Sequence, residues 1–135
     1  MRVLLDTNVV IDFLLKRTPF DVEAKEIFRR SALGNYEIFV SSITPINAFY
    51  TIRKEKNKNV AFVSVEGLMN PVEISRTDKQ VLQSAFTINF NDYEDAVQHE
   101  SAVAENLDAI VTRNEKDFKN GSLQIYSPAD FLKAL

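Results

Sequence analysis

Short strand-like runs alternate with longer helical patterns along the chain, and this alternation constrains the fold more than any other feature. Five short segments rich in apolar and β-branched residues are typical of strands: RVLL, EIFVSS, PVEIS, AIVT and LQIYS. Strands that alternate with helices need crossover connections, which build parallel sheets covered by helices on both faces. The sequence therefore predicts an α/β fold with three layers, α/β/α, around a central, mostly parallel sheet of four or five strands.

The helical segments carry their own start and stop signals. Gly34 lies where a helix is expected to end. Thr44 before Pro45, and Ser127 before Pro128, are typical of a capping residue followed by the first helical position. Apolar periodicity predicts helices near residues 8–16, 21–33, 45–56, 59–69, 78–87, 92–107 and 128–135.

Length and composition indicate one soluble domain over residues 1–135. The chain has 45% hydrophobic and 26% charged residues, which is ordinary for a globular protein. It has no cysteine, which excludes a disulfide framework and thiolate metal sites. With 16 basic and 19 acidic residues, its net charge of −3 requires any nucleic-acid contact to come from a local basic patch.

The chain is expected to be cytoplasmic and free of membrane spans. Asp6 and Asp12 interrupt the first apolar stretch, which therefore does not match a signal peptide. No uninterrupted apolar run approaches the roughly 20 residues of a transmembrane helix.

Polar residues follow three of the predicted strands directly. They occupy residues 6–8, 41–44 and 113–117. In parallel α/β sheets, ligands bind beyond the carboxyl ends of the strands. We therefore expect these residues to gather at one edge of the sheet. The same residues also suit helix capping, which is the simpler role for an acid after a strand.

The helix predicted from residue 92 carries an acidic face. At about 100° per residue, Asp92, Asp95 and His99 share one stripe, and Glu94 lies about 100° from Asp95. Small apolar residues follow Asp95, so its carboxylate is expected to lean inward, where it needs a cation. Asp92 is either a second ligand or a cap. We assign Glu94 to a capping pair with Asn91 or to solvent, and His99 to a structural role.

Three carboxylates on separate elements are expected to converge at this edge: Asp6, Asp95 and Asp117. They would repel one another without a cation between them. Oxygen ligands in a chain without cysteine favour Mg²⁺ or Mn²⁺ over zinc. Such an ion polarises a phosphoryl oxygen and stabilises the leaving oxygen, which indicates phosphodiester hydrolysis.

Four segments resemble, in order, the motifs of the PIN domain (PilT N-terminus) family, nucleases that include the VapC-type toxins of bacterial toxin–antitoxin pairs. These segments are LLDTNVVIDFL, SSITPINAFY, DYEDAVQ and IVTRNEKDF. The resemblance implies a PIN-like fold and an endoribonuclease dependent on Mg²⁺ or Mn²⁺. It places Asp6, Asp95 and Asp117 as catalytic, metal-binding acids. Asp92, by its place on the helix, stays open as a further metal ligand or a cap.

The resemblance also implies supporting residues. Asn114 would support the site from behind the ligands, and Thr7, Asn8 and Thr44 would orient the first acid, cap helices, or do both. Asn47 stands where most family members carry Glu. A neutral amide there lowers the charge of the site and puts a second metal position in question.

In the predicted site, Asp92 would compensate for the missing acid at position 47, whereas the spacing of Asp12 gives it no role. For RNA, Arg113 beside the acidic edge is the candidate for binding a substrate phosphate. The basic segment 53–58 could also hold phosphates, although basic residues favour helix ends for dipole reasons alone.

The partners implied by the resemblance are RNA, an antitoxin protein and a second copy of the chain. Phe49, Tyr50 and Phe62 suit either an interface or the core, and we assign them to the core. The alternative function is a PIN-like module that binds RNA or protein without cleaving it. Aspartyl-phosphate chemistry is disfavoured, because the dehalogenase pattern needs an acid where this chain has Asn8.

Overall fold

A computed structural model describes residues 1–135 and contains a five-stranded sheet between two layers of helices. The strands are β1 Arg2–Leu5, β2 Glu37–Ser41, β3 Glu73–Ser75, β4 Ala109–Val111 and β5 Gln124–Tyr126. They lie in the order β3-β2-β1-β4-β5, and all four neighbouring pairs are parallel. The predicted three-layer α/β/α architecture is confirmed, and the sheet is wholly parallel.

Seven α-helices connect and cover the strands. They are α1 Thr7–Leu14, α2 Asp21–Ala32, α3 Ile43–Glu55, α4 Lys58–Leu68, α5 Lys79–Ser84, α6 Tyr93–Ala104 and α7 Pro128–Lys133. Short 3₁₀ turns lie at Ala85–Thr87, after α5, and at Glu115–Phe118, after β4. No helix combines the length and the apolar character that crossing a membrane requires.

Strand β1 is buried on both faces from Val3 to Leu5, which explains why these three residues are all apolar. Val3 and Leu5 pack into the larger core, which includes side chains of α1, α2 and α7. Leu4 points the other way, into a second core with Ile110 and Phe118. All five side chains are fully buried. Successive residues of a strand face opposite sides, so helices on both faces require this unbroken apolar run.

Two of the predicted helix boundaries are right and one is wrong. Gly34 follows α2 with a φ of +89°, a conformation that glycine adopts without strain. Ser127 caps α7 by accepting the backbone N–H of Asp130. Helix α3, however, begins at Ile43, and Thr44 lies inside its first turn. Its hydroxyl is buried against Thr7, so a tertiary contact replaces the predicted capping role.

The assignment of three aromatic residues to the core is only partly right. Phe49 is half-buried, whereas Tyr50 and Phe62 are 60% and 56% exposed. Phe49 packs edge-on against both of them, with ring centroids 5.2 Å and 4.8 Å apart. These rings form a surface cluster on α3 and α4, because the two helices pack against each other and leave one face open to solvent.

The order of the strands places a crevice at one edge of the sheet. From β1, the chain builds outward to β2 and β3, and then returns to the other side of β1 with β4 and β5. At such a switch point, the connections after the two central strands run in opposite directions and leave a binding site between them. Asp6 follows β1 here, and its backbone N–H donates to the carbonyl of Val111 at the end of β4 at 3.0 Å.

Candidate active site

Five acidic side chains line one open pocket at this crevice. The pocket has a volume of about 420 Å³, and its acids are Asp6, Asp92, Glu94, Asp95 and Asp117. Since a water molecule occupies roughly 30 Å³ of liquid, a hydrated ion and a phosphate group fit together. The structure therefore brings the four acids predicted as metal ligands to one place and adds Glu94.

Arg17 is the only basic residue in the lining of the pocket. Its guanidinium forms an ion pair with Glu55 at 2.7 Å, so its charge is already shared. The five acids form no ion pair with any lysine, arginine or histidine. The negative charge of the pocket is therefore left uncompensated by the protein.

Asp6 both caps α1 and faces the pocket. Its Oδ1 accepts hydrogen bonds from the backbone N–H of Thr7 at 2.7 Å and from Nε2 of Gln98 at 2.8 Å. Its Oδ2 accepts the hydroxyl hydrogen of Thr112 at 2.7 Å. These bonds use three of the roughly four lone-pair positions of a carboxylate and fix its orientation. Capping and a place in the acidic pocket are thus compatible for one side chain.

The two aspartates at the start of α6 have different tasks. Asp92 is the cap of α6, and its Oδ1 accepts the backbone N–H of Asp95 at 3.0 Å. Asp95 is half-buried in the pocket. The pKa of Asp95 is raised to about 7, mainly by burial and then by the charges of Asp6, Asp92, Asp117 and Glu94 in that order. Near neutral pH, Asp95 is therefore only partly ionised in the metal-free protein.

Glu94 does not have the role that the sequence suggested. The predicted capping pair with Asn91 is wrong, because Asp92 caps the helix. Instead, Oε1 of Glu94 accepts a hydrogen bond from Nδ2 of Asn47 on α3 at 2.8 Å. Burial raises the pKa of Glu94, as do the charges of Asp92 and Asp6, while the bond from Asn47 opposes the rise. Its angular position on the helix, adjacent to Asp95, is the one signal in the sequence that could have found it.

The donor atoms of the pocket suit a hard divalent cation. They are carboxylate oxygens together with Oδ1 of Asn8, a buried amide oxygen that has no hydrogen-bond partner. No three acidic or imidazole side chains already stand as a metal-binding group. An ion would therefore have to draw side chains toward it, starting from the exposed Asp117 and the half-buried Asp95.

The residues that orient Asp6 differ in part from the predicted ones. Thr7 contributes its backbone N–H, while its hydroxyl contacts Thr44 at 2.9 Å and not the carboxylate. Asn8 lines the pocket but makes no hydrogen bond to Asp6. Gln98 and Thr112 were missed. Thr112 ends a predicted strand at the right edge, and Gln98 lies three residues after Asp95 on the same helical face, so spacing could have indicated both.

Asn114 lies in the lining of the pocket, as expected for a supporting residue. Its backbone N–H donates to the hydroxyl of Thr112 at 3.0 Å, and its carbonyl accepts the N–H of Asp117 at 3.0 Å. The main chain of Asn114 thus links the residue that holds Asp6 to the turn that carries Asp117.

A sequence model of the PIN domain family matches residues 2–116, which include all five acids except Asp117 and most of the sheet. The chain belongs to the PIN domain family. Among curated protein sequences, none matches the chain significantly.

Solved structures extend the comparison to the fold of this PIN domain. DNA-bound VapBC from Salmonella typhimurium matches with a TM-score of 0.74 at 22% identity, over 95% of this chain and 98% of that one. VapBC-1 from nontypeable Haemophilus influenzae matches with a TM-score of 0.71 at 20% identity, over 96% and 99%. VapC20 from Mycobacterium tuberculosis, a toxin that cleaves the sarcin–ricin loop, matches with a TM-score of 0.64 at 9% identity, over 80% and 86%.

Arg113 of this PIN domain, predicted to bind a substrate phosphate, is not among the residues that line the acidic pocket. Its Nε and a terminal nitrogen donate to Asp12 at 2.6 Å and 3.3 Å. Its guanidinium carbon also lies 3.9 Å from the centre of the Phe20 ring. Asp12 is 1% exposed. A buried carboxylate without a partner has a high desolvation cost, so Asp12 pairs with the guanidinium of Arg113.

His99 is a structural residue of this PIN domain, as the sequence suggested. It is 2% exposed, and its Nε2 accepts the backbone N–H of Ser122 at 3.0 Å. Its proton therefore sits on Nδ1, which lies 2.8 Å from the carboxylate of Glu100. A side chain at Gly121 would collide with the imidazole, so glycine is required there.

Proposed function

We propose that this PIN domain is an endoribonuclease dependent on Mg²⁺ or Mn²⁺ and acts as the toxin of a toxin–antitoxin pair. The observation that carries the proposal is the grouping of five acids around one pocket at the switch point of the sheet, with no ion-pair partner for any of them. Membership of the PIN domain family supports nuclease chemistry.

Asp6, Asp95 and Asp117 would hold the metal, with Asp92 beside them. When bound, the ion supplies Lewis-acid catalysis and charge neutralisation for phosphodiester hydrolysis. Hydrogen bonds from Gln98 and Thr112 hold the carboxylate of Asp6 in place, so Asp6 would be the ligand with a fixed orientation. Asp95 accepts or loses a proton near neutral pH, which couples its ionisation to cation binding.

RNA is the proposed substrate because its phosphates carry the negative charge that a metal-loaded pocket attracts. Without a cation, five acids would repel the same phosphates. VapC20, one of the structural neighbours, is a toxin that cleaves an RNA loop, which supports RNA over other phosphodiesters.

An antitoxin and a second copy of the chain are the proposed protein partners. Support for the antitoxin comes from the structural neighbours, several of which are VapBC complexes. Exposed apolar side chains on α3 and α4 offer surface for such contacts: Ile46, Tyr50, Phe62 and Val63.

The test is cleavage of fluorescently labelled RNA, both structured and single-stranded, by the purified chain in Mg²⁺, in Mn²⁺ and in excess chelator. We expect cleavage only with metal, and a loss of about a hundredfold or more in Asp95→Asn. Cleavage by the wild type that survived this substitution would contradict the mechanism. RNA that is bound but never cut would favour the alternative of a non-catalytic binding module.

A further inference from the structure

We propose that Glu94 is a metal-binding carboxylate of this pocket and that Asn47 is the positioning residue that holds it there. The inference rests on the proposed function, since it concerns the same cation. It adds Glu94 to the proposed metal ligands and assigns the neutral side chain of Asn47 the role of positioning it.

The contact between the two residues spans two helices. Nδ2 of Asn47 donates to Oε1 of Glu94 at 2.8 Å, and no other hydrogen bond joins α3 to α6. The bond fixes one carboxylate oxygen at the wall of the pocket. The second oxygen, Oε2, accepts no hydrogen bond from the protein and is free to bind a ligand.

Glu94 lies in the first turn of α6, where the helix dipole favours an acid, but it neither caps the helix nor forms an ion pair. Asp92 already caps α6. Two other acids that are not exposed bind arginine: Glu26 with Arg30 at 2.9 Å and Asp12 with Arg113 at 2.6 Å. Glu94 has no such partner within 4.0 Å. Its carboxylate is held by a neutral amide alone.

A neutral donor has a different effect from a cation. Arginine or lysine at position 47 would orient Glu94 but would also cancel its charge and compete with any bound ion. Asn47 orients the carboxylate and leaves the charge in the pocket. Without a cation this arrangement is costly, because Glu94 is half-buried and lies close to the like charges of Asp92 and Asp6. A divalent cation reverses that cost.

The experiment is a calorimetric titration of the full chain with Mn²⁺ in the absence of RNA. We expect Glu94→Gln to weaken Mn²⁺ binding by about tenfold or more, as loss of groups around a metal does. Glu94→Asp keeps the charge but shortens the side chain, and we expect it to weaken binding as well. Glu66→Gln, which removes an exposed acid outside the pocket, is the charge-matched control and should bind as the wild type does.

Glu94→Gln with wild-type affinity would overturn the inference. So would Glu94→Asp with wild-type affinity, because the charge would then act through space and not as a ligand. Thermal unfolding of each variant checks folding. Glu94→Gln should be at least as stable as the wild type in metal-free buffer, since it removes a charge that its neighbours repel.

Asn47→Ala tests the positioning role. We expect it to weaken Mn²⁺ binding less than Glu94→Gln does, and the double variant should bind no more weakly than Glu94→Gln alone. Fully additive losses would show that Asn47 acts independently of Glu94 and would overturn its assigned role.

Asp95→Asn in the same titration separates this inference from the proposed function. If Asp95→Asn abolishes Mn²⁺ binding while Glu94→Gln matches the wild type, only the role of Glu94 fails. If the wild type binds no Mn²⁺ and cuts no RNA, the proposed function and this inference fail together.

Discussion

Two carboxylates of one short segment, Asp6 and Asp12, are both buried but have opposite surroundings. Asp12, 1% exposed, is bound by the guanidinium of Arg113. Asp6, 5% exposed, is bound only by neutral donors: a backbone N–H, the amide of Gln98 and the hydroxyl of Thr112. The charge of Asp12 is cancelled within the protein, whereas the charge of Asp6 remains.

This difference separates an acid that stabilises the fold from an acid kept for a ligand. Neutral donors orient a carboxylate without removing its charge. The amide of Asn47 is such a donor, and it binds the carboxylate of Glu94. Around the pocket, the result is a group of acids that repel one another until a cation binds. Around Asp12, the result is a closed pair that joins α1 to the loop after β4. Substitutions on the two sides should therefore have opposite effects on stability.

The largest effect on stability is expected at the buried ion pair between Asp12 and Arg113. Arg113→Ala leaves Asp12 buried without a partner, and we expect it to lower the free energy of unfolding by about 3 to 5 kcal/mol in urea denaturation. The double variant Asp12→Asn/Arg113→Met, which removes both charges, should recover much of this loss. A loss below about 1 kcal/mol in Arg113→Ala would show that Asp12 is not held as the comparison requires.

In the acidic pocket, Asp95→Asn should stabilise the metal-free protein. The pKa of Asp95 is raised from 3.8 to about 7 in the folded state, so ionisation of Asp95 costs stability progressively as the pH rises from about 4 to about 7. We expect the variant to gain on the order of 1 kcal/mol over the wild type at pH 8, after screening at a half-exposed site, and nothing at pH 3.

Urea denaturation at pH 3 and pH 8 in chelator measures this gain, with Glu66→Gln as the exposed control. Saturating Mn²⁺ should reverse the order of stability at pH 8, because only the wild type gains binding energy from the ion. A variant that is less stable than the wild type at pH 8 in chelator would contradict the uncompensated charge of the pocket.

The smallest effect is expected at the exposed ion pair between Arg17 and Glu55. Both side chains are partly in solvent, at 34% and 46% exposure, so water and salt screen the pair. We expect Glu55→Gln to change the free energy of unfolding by less than about 0.5 kcal/mol. A loss close to that of Arg113→Ala would remove the distinction between buried and exposed pairs on which the comparison depends.

The local sequence pattern was sufficient to predict much of the fold and part of the candidate site. The apolar residues 3–5 and 109–111 predicted the two central strands, and the polar residues after them predicted which edge carries the pocket. Boundaries such as the start of α3 were wrong by two residues, since the buried contact of Thr44 with Thr7 outweighs its capping preference. Exposure of Tyr50 and Phe62 also depended on how α3 and α4 pack.

By itself, the sequence determined the alternation of strands and helices, the parallel sheet, and the arrival of Asp6, Asp95 and Asp117 at one edge. These follow from periodicity and chain order, which short stretches of residues carry. Only the tertiary structure decided which partner each polar side chain took. Arg113 binds Asp12 across 101 residues, and Asn47 binds Glu94 across 47. A polar side chain bonds to whatever group the fold places opposite it, and chain spacing does not encode that group.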